Sequence, residues 1–287
     1  MPAEPPTNGN TYIIDPESGA EMARLMNQDR LITRGMGGIF PERDDISTMH
    51  DILDIACGPG GWVLEMAYQY PKIQIVGIDI SRTMIEYART QARSQGLENA
   101  TFQVMDALKP LDFLDSAFDL VNTRYIATFM PKTAWPKLIQ ECTRLTRPGG
   151  TIRLTEAEVP ITTSPAFEQM GSMLTRALQR TGQSFSPDGR QIAITPVLGR
   201  FLREAGCQNI RQRASAIDFS VGTDVHRAFY ENFTVALQLL KPLFLKLGIA
   251  TEEEFDRVYQ QLLMEALADD FSAIWHYLTV WGENPKH

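Results

Sequence analysis

Cysteine, long apolar runs and positive charge are all scarce in this chain, and each shortage removes a class of protein. Cys57, Cys142 and Cys207 are the three cysteines among 287 residues. They are too few and too scattered for a disulfide framework or a thiolate metal cluster. A reduced, cytoplasmic protein without a bound metal is therefore expected. No apolar run approaches the roughly 20 residues that cross a bilayer. The first residues also lack the basic-then-apolar form of a signal peptide, so no membrane span is expected. Positive charge is short as well. Lysine and arginine number 27 against 35 acidic residues, a net charge of −8, with no basic run. A nucleic-acid partner needs a basic face and is not expected.

What is present is an ordinary globular composition with 44% hydrophobic residues, enough for one large domain with additions. Its most informative stretch runs from Asp51 to Ser81. Ile52, Leu53 and Ile55 suit a strand buried on both faces. Cys57-Gly58-Pro59-Gly60-Gly61 breaks the pattern, and Trp62, Leu64, Met66, Ala67 and Tyr70 resume it at helical spacing. Ile73, Ile75, Val76 and Ile78 form a second strand that ends at Asp79. Glycine lets backbone approach a ligand closely, and an acid about twenty residues further on accepts hydrogen bonds from ribose hydroxyls. The stretch reads as a nucleoside site. A nicotinamide-dependent oxidoreductase is one reading, but the dinucleotide fingerprint G-x-G-x-x-G would need glycine where Val63 stands.

Along the rest of the chain, residues 1–10 hold three prolines and little that packs, and are expected to be a disordered tail. Met22, Leu25, Met26, Leu31 and Ile32 predict an N-terminal helix stopped by Gly35-Met-Gly-Gly38, giving a helical lid over residues 11–45. Ser81 caps a helix from Arg82 to about Gln95. Further strands are predicted at Phe102–Met105, Phe118–Val121, Thr151–Thr155, Ile210–Phe219 and Phe271–Trp281. Arg147-Pro-Gly-Gly150 is read as the turn that feeds the fifth strand. Strands alternating with helices imply an α/β fold with a doubly wound, mainly parallel sheet of seven strands. The core is placed at 46–159, continuing through 191–221 and closing at 270–287. Helical insertions are placed at 160–190 and, as a cap, at 222–269, where Phe229, Phe233, Leu237, Leu240 and Phe244 form an apolar stripe.

Together these features resemble the class I S-adenosylmethionine (SAM) methyltransferases, with their Rossmann-like fold. The resemblance rests on Asp54-Ile-Ala56-Cys-Gly58-Pro-Gly60, with alanine for the first glycine, on Asp79-Ile80, on Asp106-Ala107 and on Arg147-Pro-Gly-Gly150. It is nearest to small-molecule types such as quinone-biosynthesis C-methylases and natural-product methyltransferases. The segment Glu21 to Leu31 is similar to a lid stretch of such enzymes, with Asp29 in place of a histidine. The resemblance implies SAM as cofactor, held by Gln28, Asp54, Ala56, Gly58, Gly60, Asp79, Ile80, Met84, Asp106, Ala107 and Asn122. In it, Asp54 organises the glycine loop and the methionine amino group, Asp79 takes the ribose, Asp106 sits by the adenine amino group and Met84 covers the ring.

The acceptor side is less marked. Asn122-Thr-Arg-Tyr125 lacks both prolines of the Asn-Pro-Pro-Tyr motif of amino-group methylases. Arg34, Arg124, Tyr125, Glu156 and His226 are the residues expected around a substrate. Methyl transfer is an in-line displacement that depends on positioning and desolvation, so no catalytic base is assigned; His226, Tyr12 and His276 are the candidates. The expected activity is methylation of a small hydrophobic or aromatic molecule, with a homodimer left open. A non-catalytic SAM-binding regulator and the oxidoreductase are the alternatives.

Overall fold

Runs of isoleucine, leucine and valine set the architecture, buried most completely at 52–55 and 120–123. In the computed structural model, residues 18–43 and 45–285 are described; the predicted tail and Tyr12 lie outside them. Strands β1 (Asp51–Ile55), β2 (Gln74–Asp79), β3 (Ala100–Val104), β4 (Phe118–Arg124) and β5 (Thr146–Ala157) pair in parallel in the order β3-β2-β1-β4-β5. Helices α2 (Gly61–Gln69), α3 (Arg82–Ser94) and α4 (Trp135–Leu145) make the crossovers. Alternate residues serve opposite faces. Ile52, Ile75 and Leu120 pack with Trp62, Val63, Met66 and Ile85 of α2 and α3. Leu53, Ile55, Val121, Ile152 and Leu154 pack with Trp135, Leu138 and Ile139 of α4 and with Leu198 and Phe201 of α6 (Thr195–Glu204).

The far side of the sheet is antiparallel. Strand β8 (Ala273–Glu283) lies between β5 and β7 (Gln208–Asp218) and pairs antiparallel with both. A two-residue strand, β6 (Ile161–Thr162), also joins β8 and makes the sheet eight-stranded rather than seven. So short a pairing leaves no periodic trace in sequence. The Arg147-Pro-Gly-Gly150 stretch is not a turn before the fifth strand but a bulged part of β5. Its register jumps from Phe118↔Thr146 to Leu120↔Thr151. Arg147 bridges Asp51 and Asp119, each at 2.7 Å, across the amino ends of β1 and β4.

The remaining helices share a separate core. Helix α1 (Gly19–Gly35), α5 (Pro165–Arg180), α7 (His226–Lys246) and α8 (Glu252–Glu265) bury Ile32, Met173, Phe229, Phe244 and Phe255 together, with Phe219 and Tyr277 at its floor. Their starts follow local chemistry. The Ser18, Ser164 and Thr251 side chains accept from the backbone N–H three residues on, each cap contributing about 1 kcal/mol.

The turn from β1 into α2 depends on Gly60, whose φ is 83°. A Cβ there would lie 2.7 Å from Phe102 and 2.9 Å from Ala88. Gly60→Ala combines a left-handed alanine with a clash against the Phe102 and Ala88 side chains, and should destabilise the chain by about 2 to 4 kcal/mol in urea unfolding.

Candidate active site

Loops at the carboxyl ends of parallel strands are where a doubly wound sheet binds ligands. A cavity of about 310 Å³ opens there. Its near end is walled by the glycine loop from Ala56 to Pro59, by Asp79, Ile80 and Met84, and by Met105 to Leu108. Its far end is apolar, with Leu174, Phe233, Leu237, Leu240 and Trp275 on the wall. The roof comes from α1 and α7. Arg24 of α1 pairs with the buried Glu21 and donates to Gln28 (2.5 Å) and to Asn232 of α7 (3.1 Å).

Each acid of the near end is fixed before any ligand arrives. Asp79 accepts from the Gly58 and Ser81 N–H groups, both at 2.9 Å. Asp106 accepts from the Leu108 N–H at 2.9 Å and pairs with Lys109 at 3.4 Å. Asp54 is 3% exposed and accepts from Asn122 Nδ2 at 2.7 Å, while no ion pair reaches it among the described residues. Burial pushes its pKa up to about 7, against the opposing pull of Arg124 and of the Asn122 bond. Glu156, also buried, accepts from the N–H groups of Ile126 (2.8 Å) and Ala127 (3.4 Å); burial raises it to about 8. Arg124 pairs with Asp29 of α1 and lies 5.8 Å from the Trp62 ring and 5.3 Å from that of Tyr125. Burial works against its charge, but Asp29, Tyr125 and Asp54 outweigh that and hold its pKa above the ordinary value.

Two non-glycine residues at the rim take left-handed backbone, Ala56 after β1 and Tyr125 after β4, both at φ 59°. Such positions cost of order 1 kcal/mol and cluster where function over-determines them. Ala56 thus keeps the conformation that a glycine would adopt without strain. Gly58 has φ +54°, and a Cβ there would meet nothing within 4 Å, so its face is open to the cavity. An acid-bearing nucleoside end, an open glycine and a buried carboxylate lacking a cation together fit the nucleoside and ammonium of SAM.

Gln28, Asp54, Ala56, Gly58, Asp79, Ile80, Met84, Asp106 and Ala107 all line this cavity, as do Arg124, Tyr125 and Glu156. Others expected there do not. Gly60 faces Phe102 and Ala88, as its place under α2 demands. Asn122 is fully buried behind Asp54. Arg34 is exposed, on the last turn of α1 away from the cavity. His276 is exposed on β8. His226 faces a separate pocket beside Phe271, with Nδ1 3.0 Å from the Phe219 carbonyl oxygen. Missed in the sequence were Arg24, Asn232 and Trp275, while Asp29 was marked only as the residue replacing a histidine of the lid stretch. Of these three, Asn232 left a signal, a polar residue within the apolar stripe of α7.

Residues 52–150 match the family of methyltransferase domains, which supports the resemblance to class I SAM-dependent methyltransferases. That match favours the methyltransferase reading over the nicotinamide one. Ajmaline N-methyltransferase of Rauvolfia serpentina is 34% identical over 146 residues, 50% of this chain and 48% of that protein. Methyltransferase GfsG of Streptomyces halstedii is 32% identical over 122 residues, 41% of each. The chain thus spans less than half the length of these curated relatives. Phosphoethanolamine N-methyltransferase 2 of Haemonchus contortus, solved with SAM, shares the fold with a TM-score of 0.55 at 20% identity, covering 94% of this chain and 57% of that one.

The two raised carboxyls give stability a definite slope with pH. Asp54 and Glu156 hold protons in the folded chain that the unfolded chain has released, so their contribution to stability is greatest below their ordinary values of 3.8 and 4.5. It falls as pH rises towards about 8. Melting temperatures between pH 4 and 9 should decline across this window, and Glu156→Gln should flatten the upper part.

Proposed function

We propose that this chain transfers the methyl group of SAM to a small, apolar or aromatic acceptor. The observation that carries the reading is one continuous cavity, with fixed acids and an open glycine at one end and an apolar, aromatic wall at the other. SAM supplies an electrophilic methyl carbon on a sulfonium. On this reading Asp79 accepts from the ribose hydroxyls, Asp106 from the adenine amino group, and Met84 covers the ring. Asp54 receives the methionine ammonium, which favours its ionised form and offsets its burial. Gln28 and the Arg124–Asp29 pair border the same end from the lid.

The far wall positions the acceptor and keeps water from it. When bound, SAM would supply its methyl group to the acceptor's nucleophilic atom and leave as S-adenosylhomocysteine, any displaced proton of the acceptor passing to solvent. No base among the described residues is assigned to this step. Glu156 keeps its proton at neutral pH, its pKa being raised to about 8, and its oxygens already accept two backbone N–H groups. Acceptors that are nucleophilic without prior deprotonation suit such a site. Residues 222–269 act as the acceptor cap and α1 as the lid, and three free cysteines support a cytoplasmic setting.

S-adenosylhomocysteine should bind and raise the melting temperature. Asp79→Asn should weaken that binding by about tenfold or more, since hydrogen bonds to a charged group contribute about 1.5 to 3 kcal/mol. No binding to the parent chain would end the reading. Labelled SAM offered with phenols, amines, thiols and quinones should yield a methylated product. Binding without turnover on any of these would favour a non-catalytic SAM-binding protein instead. Leu237→Trp, which fills the apolar end, should cut turnover by about tenfold or more and leave S-adenosylhomocysteine affinity within twofold.

A further inference from the structure

Behind the wall that carries Asp54, four side chains form a buried file that reaches the segment following the lid helix. Asn122 Nδ2 donates to Asp54 at 2.7 Å, and Arg153 Nη1 donates to Asn122 Oδ1 at 2.8 Å. Arg153 in turn pairs through its Nε with Glu42, its Nη2 lying 3.4 Å from the second carboxylate oxygen. The Arg153 and Glu42 side chains are each 1% exposed. The ring of Phe40 covers the guanidinium at 5.2 Å. None of Asn122, Arg153 or Glu42 touches the cavity.

We propose that the Arg153–Glu42 pair is a positioning device for the amino-acid end of the cofactor, acting through Asn122 on Asp54. The inference rests on the SAM reading of the cavity. A carboxamide can turn either its oxygen or its nitrogen toward a neighbour. Arg153 only donates, so it claims the Asn122 oxygen and leaves Nδ2 nowhere to point but Asp54. That donor, with the guanidinium charge behind it, favours the carboxylate that an ammonium requires. Burial opposes it, Arg124 and Asp29 face Asp54 from the cavity side, and the Cys57 thiol lies beside both Asp54 and Asp79.

Glu42 explains why the arginine can be there. An unpaired guanidinium would not remain charged and buried at that depth, whereas a buried ion pair is in general no better a stabiliser than apolar side chains of equal volume. Its use lies in where it ends. Glu42 belongs to the stretch between α1 and β1, which is held by the Trp62 Nε1–H to the Ile39 carbonyl at 3.1 Å and by Arg213 on the Pro41 carbonyl. Docking of that stretch therefore sets the state of a carboxylate in the cavity.

The test uses two ligands on the full chain by calorimetry. S-adenosylhomocysteine carries the amino-acid end, and 5′-methylthioadenosine lacks it. Arg153→Met alone would strand Glu42, so the double variant Glu42→Gln/Arg153→Met keeps the site uncharged and filled, with Arg153→Lys as the conservative partner. The double variant should bind 5′-methylthioadenosine within twofold of the parent. It should bind S-adenosylhomocysteine about tenfold more weakly at pH 7, the worth of one such hydrogen bond. The deficit should shrink as pH rises to 8.5, which favours the ionised form of Asp54, and Arg153→Lys should recover part of it. Equal losses for both ligands, or no loss for either, would overturn the proposal. A parent chain that binds neither ligand would overturn the cofactor reading itself, and this inference with it.

Discussion

A carboxylate buried at the carboxyl end of the central strand is the constraint on which the rest depends. Asp54 is 3% exposed, in surroundings where an isolated negative charge would cost several kcal/mol. The chain meets this in two ways. A donated hydrogen bond from Asn122 and the charges of Arg124 and Arg153 favour ionisation, while burial keeps the pKa near neutral. The carboxyl thus stands at the balance point where an arriving cation decides its state. Strands β4 and β5 supply the supports, and their parallel register with β1 places Asn122 beside Asp54 and Arg153 beside Asn122.

Much of this frame was legible because parallel strands buried on both faces write plain runs of isoleucine, leucine and valine. The β1-turn-α2-β2 unit, Asp79 and Asp106 could be read with their elements. What could not be read was direction. Gly60 and Gly58 are two residues apart in the same loop, yet one closes helix packing and the other opens on the cavity. Asn122 was expected at the ligand and stands one layer behind it. Nothing in a linear pattern tells whether a strand-end residue points outward or back between neighbouring strands.

The acceptor end was least legible, for a different reason. The stripe of α7 serves two surfaces, since Phe229 and Phe244 join the helical core while Phe233 and Leu237 wall the cavity. Apolar spacing at 3.6 residues is the same for both purposes. The histidines misled for a related reason. His226 sits at the start of the right helix but turns into an aromatic pocket on its other side, and His276 belongs to a strand position that faces solvent. Long-range ion pairs such as Asp29–Arg124 and Glu42–Arg153 leave no mark until the chain is folded.

The place of β8 has a consequence for biosynthesis. This strand, the last in the chain, is inserted between β5 and β7 rather than added at an edge. Until residues 273–283 leave the ribosome, β5 and β7 each present an unpaired edge of eleven or twelve residues, the kind of edge that recruits other strands. Folding of this domain therefore cannot proceed steadily from the first residue to the last. It has to wait for its final strand, and the nascent chain carries two open edges until that strand arrives.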